Sequence, residues 1–139
     1  MKTLVLDCSV SASWLFAGEA QEAYAESVMS ALADHRTHVP CIWPGEMANV
    51  ARQGVRSGRR TREDAMQRLA IVEQFPITVE TQMPDPTALL SAALDWGLTP
   101  YDASYLLLAQ RLKASLATWD KAMRGAAAKL GIPVFAPIS

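Results

Sequence analysis

The chain has 139 residues, the length of one ordinary domain, and we predict a single domain over residues 1–139. Half of the residues are hydrophobic and 19% are charged, which is typical of a globular protein and excludes disordered and fibrous classes. The formal net charge is −1, so no strongly basic field indicates a nucleic-acid binder. Binding to a nucleic acid would therefore need a local basic patch or bound cations.

The two cysteines, Cys8 and Cys41, are too few for a disulfide framework. Both lie in apolar, strand-like segments, which predicts buried free thiols in a reducing compartment. Asp7 interrupts the apolar beginning of the chain too early for a signal peptide, and no apolar stretch approaches the ~20 residues that span a bilayer. We therefore expect a cytoplasmic protein without membrane contact.

Short apolar runs alternate with helical patterns in the first part of the chain. In order, we predict a strand Thr3–Leu6, a helix capped by Ser9 and ending at Trp14, a helix from about Glu19 to Ala33, a strand Thr37–Ile42, a helix from Pro44 to about Ser57, a helix that begins with a capping-box pattern at Thr61, and a strand Ile77–Val79.

The same alternation continues to the end of the chain. We predict a helix Pro86–Trp96 closed by Gly97, a helix with Thr99 as N-cap that ends at Leu112, a strand Ser115–Ala117, a helix Asp120–Leu130 closed by Gly131, and a short strand at Val134 and Phe135. Strands regularly separated by helices favour right-handed crossovers. The predicted class is therefore α/β, with a short central parallel sheet flanked by helices on both faces.

Four acidic residues fall where a strand ends or a helix begins. Asp7 follows the first strand, Glu46 and Asp102 lie in the first turns of helices, and Asp120 follows the strand Ser115–Ala117. Ligands of an open parallel sheet bind at the carboxyl ends of its strands, so we expect the four side chains at one edge. Taken singly, Glu46, Asp102 and Asp120 are better explained as favourable charges at helix N-termini.

Taken together, the four acids indicate a metal site. Two carboxylates ~5 Å apart repel each other by ~3 kcal/mol at an effective dielectric of ~20, a cost that a protein rarely keeps for stability. A hard divalent cation such as Mg²⁺ or Mn²⁺ removes it, because these ions prefer carboxylate oxygens and water. His35 and His38 are interpreted as surface histidines, and no Cys/His constellation offers a site for a softer metal.

Further polar residues lie near the predicted acidic edge. Asn49 follows Glu46 by three residues on a polar helix face, where it could orient a carboxylate or simply be solvated, as Gln53 could. A basic run lies around the end of the same helix: Arg52, Arg56, Arg59, Arg60 and Arg62. It could contact phosphates or an acidic partner, or form only a solvated loop.

Two cations and two aromatic residues lie close to the acids in sequence. Lys121 and Arg124 follow Asp120 and are candidates for phosphate contact. Trp43 and Trp119 flank motif residues and could stack a base, although packing against a neighbouring helix is the commoner role of such aromatics.

Four segments of this chain resemble the motifs of the PIN-domain family, and in particular its VapC-type toxins. They are Leu4–Val10 with Trp14 and Leu15, Pro44–Val50, Leu98–Ala109 and Leu116–Lys121. Their order and spacing agree over nearly the whole chain. Cys8 departs from the family pattern, in which a small Ala or Thr is commoner, and no further acid follows near Asp120 to supply a fifth ligand.

The resemblance implies a Mg²⁺-dependent endoribonuclease, with Mn²⁺ as an alternative cofactor, that acts as the toxin of a type II toxin–antitoxin pair. It implies Asp7 as a direct metal ligand and Asp102 and Glu46 as ligands that bind directly or through waters. Asp120 would complete the catalytic pocket or bind a weaker second ion. Ser9 and Thr118 would support these acids or the phosphate by hydrogen bonds. A VapB-type antitoxin would cover the pocket, and the toxin would form a homodimer.

Three other functions remain open. A haloacid-dehalogenase-like phosphatase would use Asp7 as nucleophile, but such enzymes carry a second aspartate where this chain has Ser9. A receiver-like domain would place paired acids after the first strand, and this chain has one. A non-catalytic PIN-fold interaction module would not need all four acids. The RNA target is open between transfer, ribosomal and messenger RNA.

Overall fold

A computed structural model describes residues 1–16 and 22–136. Its centre is a sheet of four parallel strands, in the order β3-β2-β1-β4: β1 (Lys2–Leu6), β2 (His35–Val39), β3 (Ile77–Val79) and β4 (Ser115–Ala117). In this sheet β2 and β3 lie on one side of β1, and β4 lies on the other side. The topological switch point therefore lies between β1 and β4.

Helices of the described residues surround this sheet. They are α1 (Cys8–Ala12), which continues into a short 3₁₀ turn (Ser13–Leu15), α2 (Glu22–Ala31), α3 (Trp43–Arg56), α4 (Arg62–Val72), α5 (Pro86–Trp96), α6 (Pro100–Leu112) and α7 (Lys121–Leu130). No helix within residues 1–16 and 22–136 is long and apolar enough to cross a membrane.

The core is centred on β1. Leu4, Val5 and Leu6 are all 0% exposed. Because successive residues of a strand point to opposite faces, their joint burial means that both faces of the sheet are covered at this strand. This confirms the predicted α/β class with a central parallel sheet and helices around it.

Local sequence signals set several helix ends as predicted. Thr61 and Thr99 are N-caps, and the side-chain oxygen of each accepts a backbone N–H three residues later, at 3.1 Å in both cases. Gly97 and Gly131 close their helices with φ of 67° and 71°, in the left-handed region that glycine adopts without strain.

The position of the second strand was predicted wrongly. It covers His35–Val39 instead of Thr37–Ile42, because it pairs with β1 from Lys2↔His35 to Val5↔His38 and Pro40 offers no N–H to extend the ladder. The predicted strand at Val134 and Phe135 is reduced to one isolated bridge between Leu116 and Val134.

The predicted second helix is shorter than expected at its end and stops at Ala31. Its predicted start at Glu19 lies outside the described residues. The helix expected to reach Trp14 gives way to the 3₁₀ turn after Ala12. Ser9 does not cap it: Asp7 occupies the N-cap position, and its side chain makes no capping hydrogen bond.

The two cysteines differ in burial. Cys8 is buried and its Sγ lies 3.8 Å from the Sδ of Met47, whereas Cys41 is exposed. The prediction was wrong for Cys41 because this residue follows the end of β2 and is not part of it. The two histidines are partly exposed: the side chains of His35 and His38 are 18% and 21% exposed, and each is hydrogen-bonded to an acid.

Candidate functional site

The carboxyl ends of β1 and β4 lie side by side at the switch point. Leu6 pairs with Ala117, and the backbone N–H of Asp7 donates to the carbonyl of Ala117 at 3.0 Å. The first residues beyond the two strands, Asp7 and Thr118, are therefore neighbours. Asp7 is only 4% exposed and Thr118 is fully buried.

Two hydroxyl groups hold the carboxylate of Asp7. Ser9 Oγ donates to Asp7 Oδ2 at 2.5 Å, and Thr118 Oγ1 donates to the same oxygen at 2.8 Å. Thr118 Oγ1 also accepts the backbone N–H of Asp120 at 3.1 Å. Both hydroxyls bind Oδ2. The other oxygen, Oδ1, accepts no hydrogen bond from the residues that the structure describes.

Glu46 is held in a similar way from a different helix. It lies in the first turn of α3 and is partly buried. The hydroxyl of Tyr105, on α6, donates to Glu46 Oε1 at 2.5 Å, and Oε2 accepts no hydrogen bond within the described ranges. Sequence reasoning missed Tyr105. Its one signal is that it follows Asp102 by three residues, one turn further along the same helix.

Asp102 and Asp120 lie at helix N-termini. Asp102 is partly buried in the first turn of α6, whose N-cap is Thr99. Asp120 is exposed and is the N-cap of α7, where its Oδ1 accepts the backbone N–H of Met123 at 2.9 Å. Asp120 therefore also fills the ordinary structural role of an acid at this position.

Burial, and after it the charges of neighbouring acids, raise the pKa values of Asp7, Glu46 and Asp102. Burial is the main cause that raises the pKa of Asp7; the hydrogen bonds from Ser9 and Thr118 oppose this rise, and the charges of Asp102 and Asp120 add to it.

Two further acids behave in the same way. The pKa of Glu46 is raised mainly by burial, lowered by the Tyr105 hydrogen bond and raised again by the charges of Asp7 and Asp102. The pKa of Asp102 is raised by burial and by the charge of Asp120, against a lowering hydrogen bond from Thr99. The acids are thus close enough to interact through space, at one edge of the sheet.

No lysine or arginine within residues 1–16 and 22–136 forms an ion pair with any of the four carboxylates. Arg124, which follows Asp120 by four residues, makes other contacts: its Nε donates to the carbonyl of Thr118 at 2.7 Å, and its guanidinium carbon lies 5.1 Å from the centre of the Tyr24 ring. Among the described residues, no ion pair with a lysine or arginine offsets the mutual repulsion of the acids.

The donor chemistry of this cluster fits a hard divalent cation. Within the described residues no three acidic, histidine or cysteine side chains converge into a ready-made cage. Mg²⁺ does not require one, because it keeps several waters and is commonly held by one or two carboxylates. The softer donor nearby, Cys8, has its pKa raised to about 12 by burial and by the charges of Glu46 and Asp7, so it remains a neutral thiol.

The other candidate residues lie at varying positions. Asn49 is exposed and makes no hydrogen bond to an acid. Arg52 and Arg56 are exposed on α3, and Lys121 is exposed in the first turn of α7, directly after Asp120.

The two tryptophans pack against the protein. Trp43 is buried and donates from Nε1 to Ser11 Oγ at 2.9 Å, which excludes it as a stacking platform. Trp119 is partly buried, with its ring centre 5.9 Å from that of Tyr24.

Comparison with known proteins identifies the family. The family model described as the PIN domain matches residues 4–129. The crystal structure of PAE2754 from Pyrobaculum aerophilum is similar to this structure with a TM-score of 0.66 and 21% sequence identity, over 90% of this chain and 79% of that chain. No curated protein matches the chain in sequence. The shared fold and the family match over residues 4–129 show that the chain belongs to the PIN domain family, whose members are generally metal-dependent nucleases.

Proposed function

We propose that this protein is a Mg²⁺- or Mn²⁺-dependent endoribonuclease of the VapC type, which hydrolyses RNA as the toxin of a type II toxin–antitoxin pair. The observation that carries the nuclease part is the group of four acids at the β1/β4 switch point, none of which pairs with a described cationic side chain. The toxin part rests on the resemblance of the four acidic motifs.

Each acid and hydroxyl of the site has its own role in holding the cation. Asp7, through Oδ1, and Asp102 would hold the cation, and Glu46 would supply Oε2 to it or to a water that it carries. Ser9 and Thr118 keep the Asp7 carboxylate in one orientation by binding its other oxygen. Asp120 adds negative charge at the rim. When bound, the cation would lower the pKa of water and neutralise charge on the phosphate.

The substrate and partners follow from the same proposal. The net charge of −1 gives RNA little overall attraction, so local cations have to contribute. Lys121 is exposed next to Asp120, and Arg52 and Arg56 are exposed on α3. We assign these side chains to contact with RNA or with an acidic partner. A VapB-type antitoxin that covers the acids, a homodimer and a cytoplasmic location complete the proposal.

The nuclease activity is tested with the purified full chain, freed of any antitoxin and incubated with RNA that contains single-stranded loops. We expect cleavage in Mg²⁺ or Mn²⁺ that is lost with a chelator and in Asp7→Asn. Cleavage that survives in Asp7→Asn would reject the assigned site. A folded, metal-binding protein that leaves transfer, ribosomal and messenger RNA intact would reject the general nuclease assignment.

The toxin role needs a separate test in cells. Induced expression of the chain in a bacterial host should arrest growth, and expression of Asp7→Asn at the same level should not. Normal growth with an active, soluble protein would separate the nuclease from the toxin role and favour a housekeeping enzyme.

A further inference from the structure

The hydroxyl of Tyr105 is hydrogen-bonded to Glu46, one of the four acids of the site. Tyr105 is 0% exposed and lies on α6, whereas its hydrogen-bond partner, Glu46, lies on α3, 59 residues away in the chain. The O–H···O distance of 2.5 Å is that of a strong, charge-assisted hydrogen bond. A tyrosine hydroxyl is protonated at neutral pH, and a carboxylate can only accept, so Tyr105 is the donor of this hydrogen bond.

The same arrangement occurs at Asp7. There, Ser9 and Thr118 bind Oδ2 and leave Oδ1 without a hydrogen bond from the described chain; here, Tyr105 binds Oε1 and leaves Oε2 without one. In both acids a neutral hydroxyl fixes one oxygen. A neutral donor orients a carboxylate and keeps its negative charge, whereas a lysine or arginine would neutralise it and compete with a metal cation.

We propose that Tyr105 is a positioning residue of the metal site: it holds the Glu46 carboxylate by Oε1 so that Oε2 is presented to the divalent cation or to a water that it carries. This inference rests on the proposed function. It also gives α6 two roles, because the helix supplies Asp102 directly and, one turn later, orients Glu46 through Tyr105.

The test measures Mn²⁺ affinity and not cleavage. The full chain is stripped of metal with a chelator, and free Mn²⁺ is followed by electron paramagnetic resonance during titration of the wild type, Tyr105→Phe, Glu46→Gln and the double variant. We expect Tyr105→Phe to weaken Mn²⁺ binding by about 10-fold, the lower end of what loss of a ligand-orienting partner costs. If Tyr105 acts through Glu46, the double variant binds no more weakly than Glu46→Gln alone.

Tyr24→Phe is the matched control. It also removes a tyrosine hydroxyl that is hydrogen-bonded across the fold, to the carbonyl of Phe135 at 2.9 Å, but this hydroxyl contacts no acid of the site. Its Mn²⁺ affinity should equal that of the wild type. Thermal unfolding without metal shows whether each variant is folded.

Glu46→Asp provides a second test that leaves the buried Tyr105 in place. It keeps the charge but draws the carboxylate back from the hydroxyl, so it should lose affinity as Glu46→Gln does. Undiminished Mn²⁺ binding in Glu46→Asp or in folded Tyr105→Phe would overturn the inference. So would a further loss when Tyr105→Phe is added to Glu46→Gln. Absence of Mn²⁺ binding by the wild type would instead reject the metal site of the proposed function.

Discussion

The acids that follow β1 and β3 at the carboxyl edge of the sheet have opposite electrostatic surroundings. On the β2/β3 half, Glu80 follows β3 directly, as Asp7 follows β1 on the other half. Glu80 Oε1 lies 2.8 Å from Nδ1 of His38, and Oε2 lies 3.3 Å from a guanidinium nitrogen of Arg111. The hydrogen bond from His38, with the contribution of Arg111, lowers the pKa of Glu80. Burial and neighbouring acids raise that of Asp7.

This difference shows what distinguishes a candidate site from an ordinary acid at a strand end. The position in the topology is the same, but on one half the fold supplies the counter-charge and on the other it supplies hydroxyl groups. An acid whose charge is compensated within the protein is explained by stability alone. An acid that is buried beside other acids, and has no counter-charge among the described residues, indicates that a bound cation supplies that counter-charge.

The largest expected effect is the difference in cleavage rate between two Glu→Gln variants, one among the four acids of the candidate site and one at Glu80. Glu46→Gln should reduce metal-dependent RNA cleavage by about 10- to 100-fold, because it removes a charge from the metal site. Glu80→Gln should leave cleavage within about twofold of the wild type, because it removes an acid that the protein already neutralises. Initial rates at saturating Mg²⁺ measure both.

Equal losses in the two variants would break the comparison. They would mean that a counter-charge from the protein, which Glu80 has and Glu46 lacks among the described residues, does not decide the role of an acid. Circular dichroism spectra and unfolding midpoints of both variants establish that the rates refer to folded protein.

Local signals allowed much of this edge to be predicted from the sequence. Thr99 before Pro100 fixes the start of α6 and hence the place of Asp102, because an N-cap needs only the next three residues. Asp7 could be placed because it ends an apolar strand. The four acids could therefore be assigned to one edge from strand ends and helix starts alone.

Contacts between distant parts of the chain could not be predicted in this way. Tyr105 and Glu46 meet across 59 residues, and His38 and Glu80 across 42. Tyr105 has the sequence signal of a core residue in an apolar helix, and nothing local shows that its hydroxyl reaches an acid. The exact register of β2 is likewise set by its partner β1, which is why its predicted bounds were displaced toward Cys41.

The stability of the metal-free protein should show the same contrast with a smaller effect. A raised pKa means that the folded state binds the Asp7 proton more tightly than the unfolded chain does, so its contribution to stability is lost as pH rises above about 4. Asp7→Asn removes this charge and can still present its amide oxygen to Ser9 and Thr118. We expect it to be more stable than the wild type at pH 7, by on the order of 1 kcal/mol, and by less at pH 4.

Glu80→Gln should change the free energy of unfolding in the opposite direction. The lowered pKa of Glu80 gives stability that is present above its ordinary pKa and is lost as the pH falls through the lowered one. The variant should be less stable than the wild type at pH 7, by about 0.5 kcal/mol for a pair near the surface, and similar to it in acid. Urea unfolding with a chelator measures both. A destabilised Asp7→Asn at pH 7 would contradict the account of uncompensated charge.

The smallest expected effect concerns a lysine that directly follows one of the four acids in the sequence. Lys121 and Lys129 are both exposed on α7, but Lys121 lies in its first turn, directly after Asp120, and Lys129 lies in its last. In the Asp7→Asn background, which prevents cleavage, Lys121→Gln should weaken binding of single-stranded RNA a few-fold. It should also reduce the slope of log affinity against log salt by about 0.7, the value for one phosphate contact. Lys129→Gln removes the same charge from the distal end of the helix and should change neither quantity. If the two variants weakened binding equally, RNA would be responding to the overall charge of the protein and not to the acidic edge, and the assignment of Lys121 as a contact would be wrong.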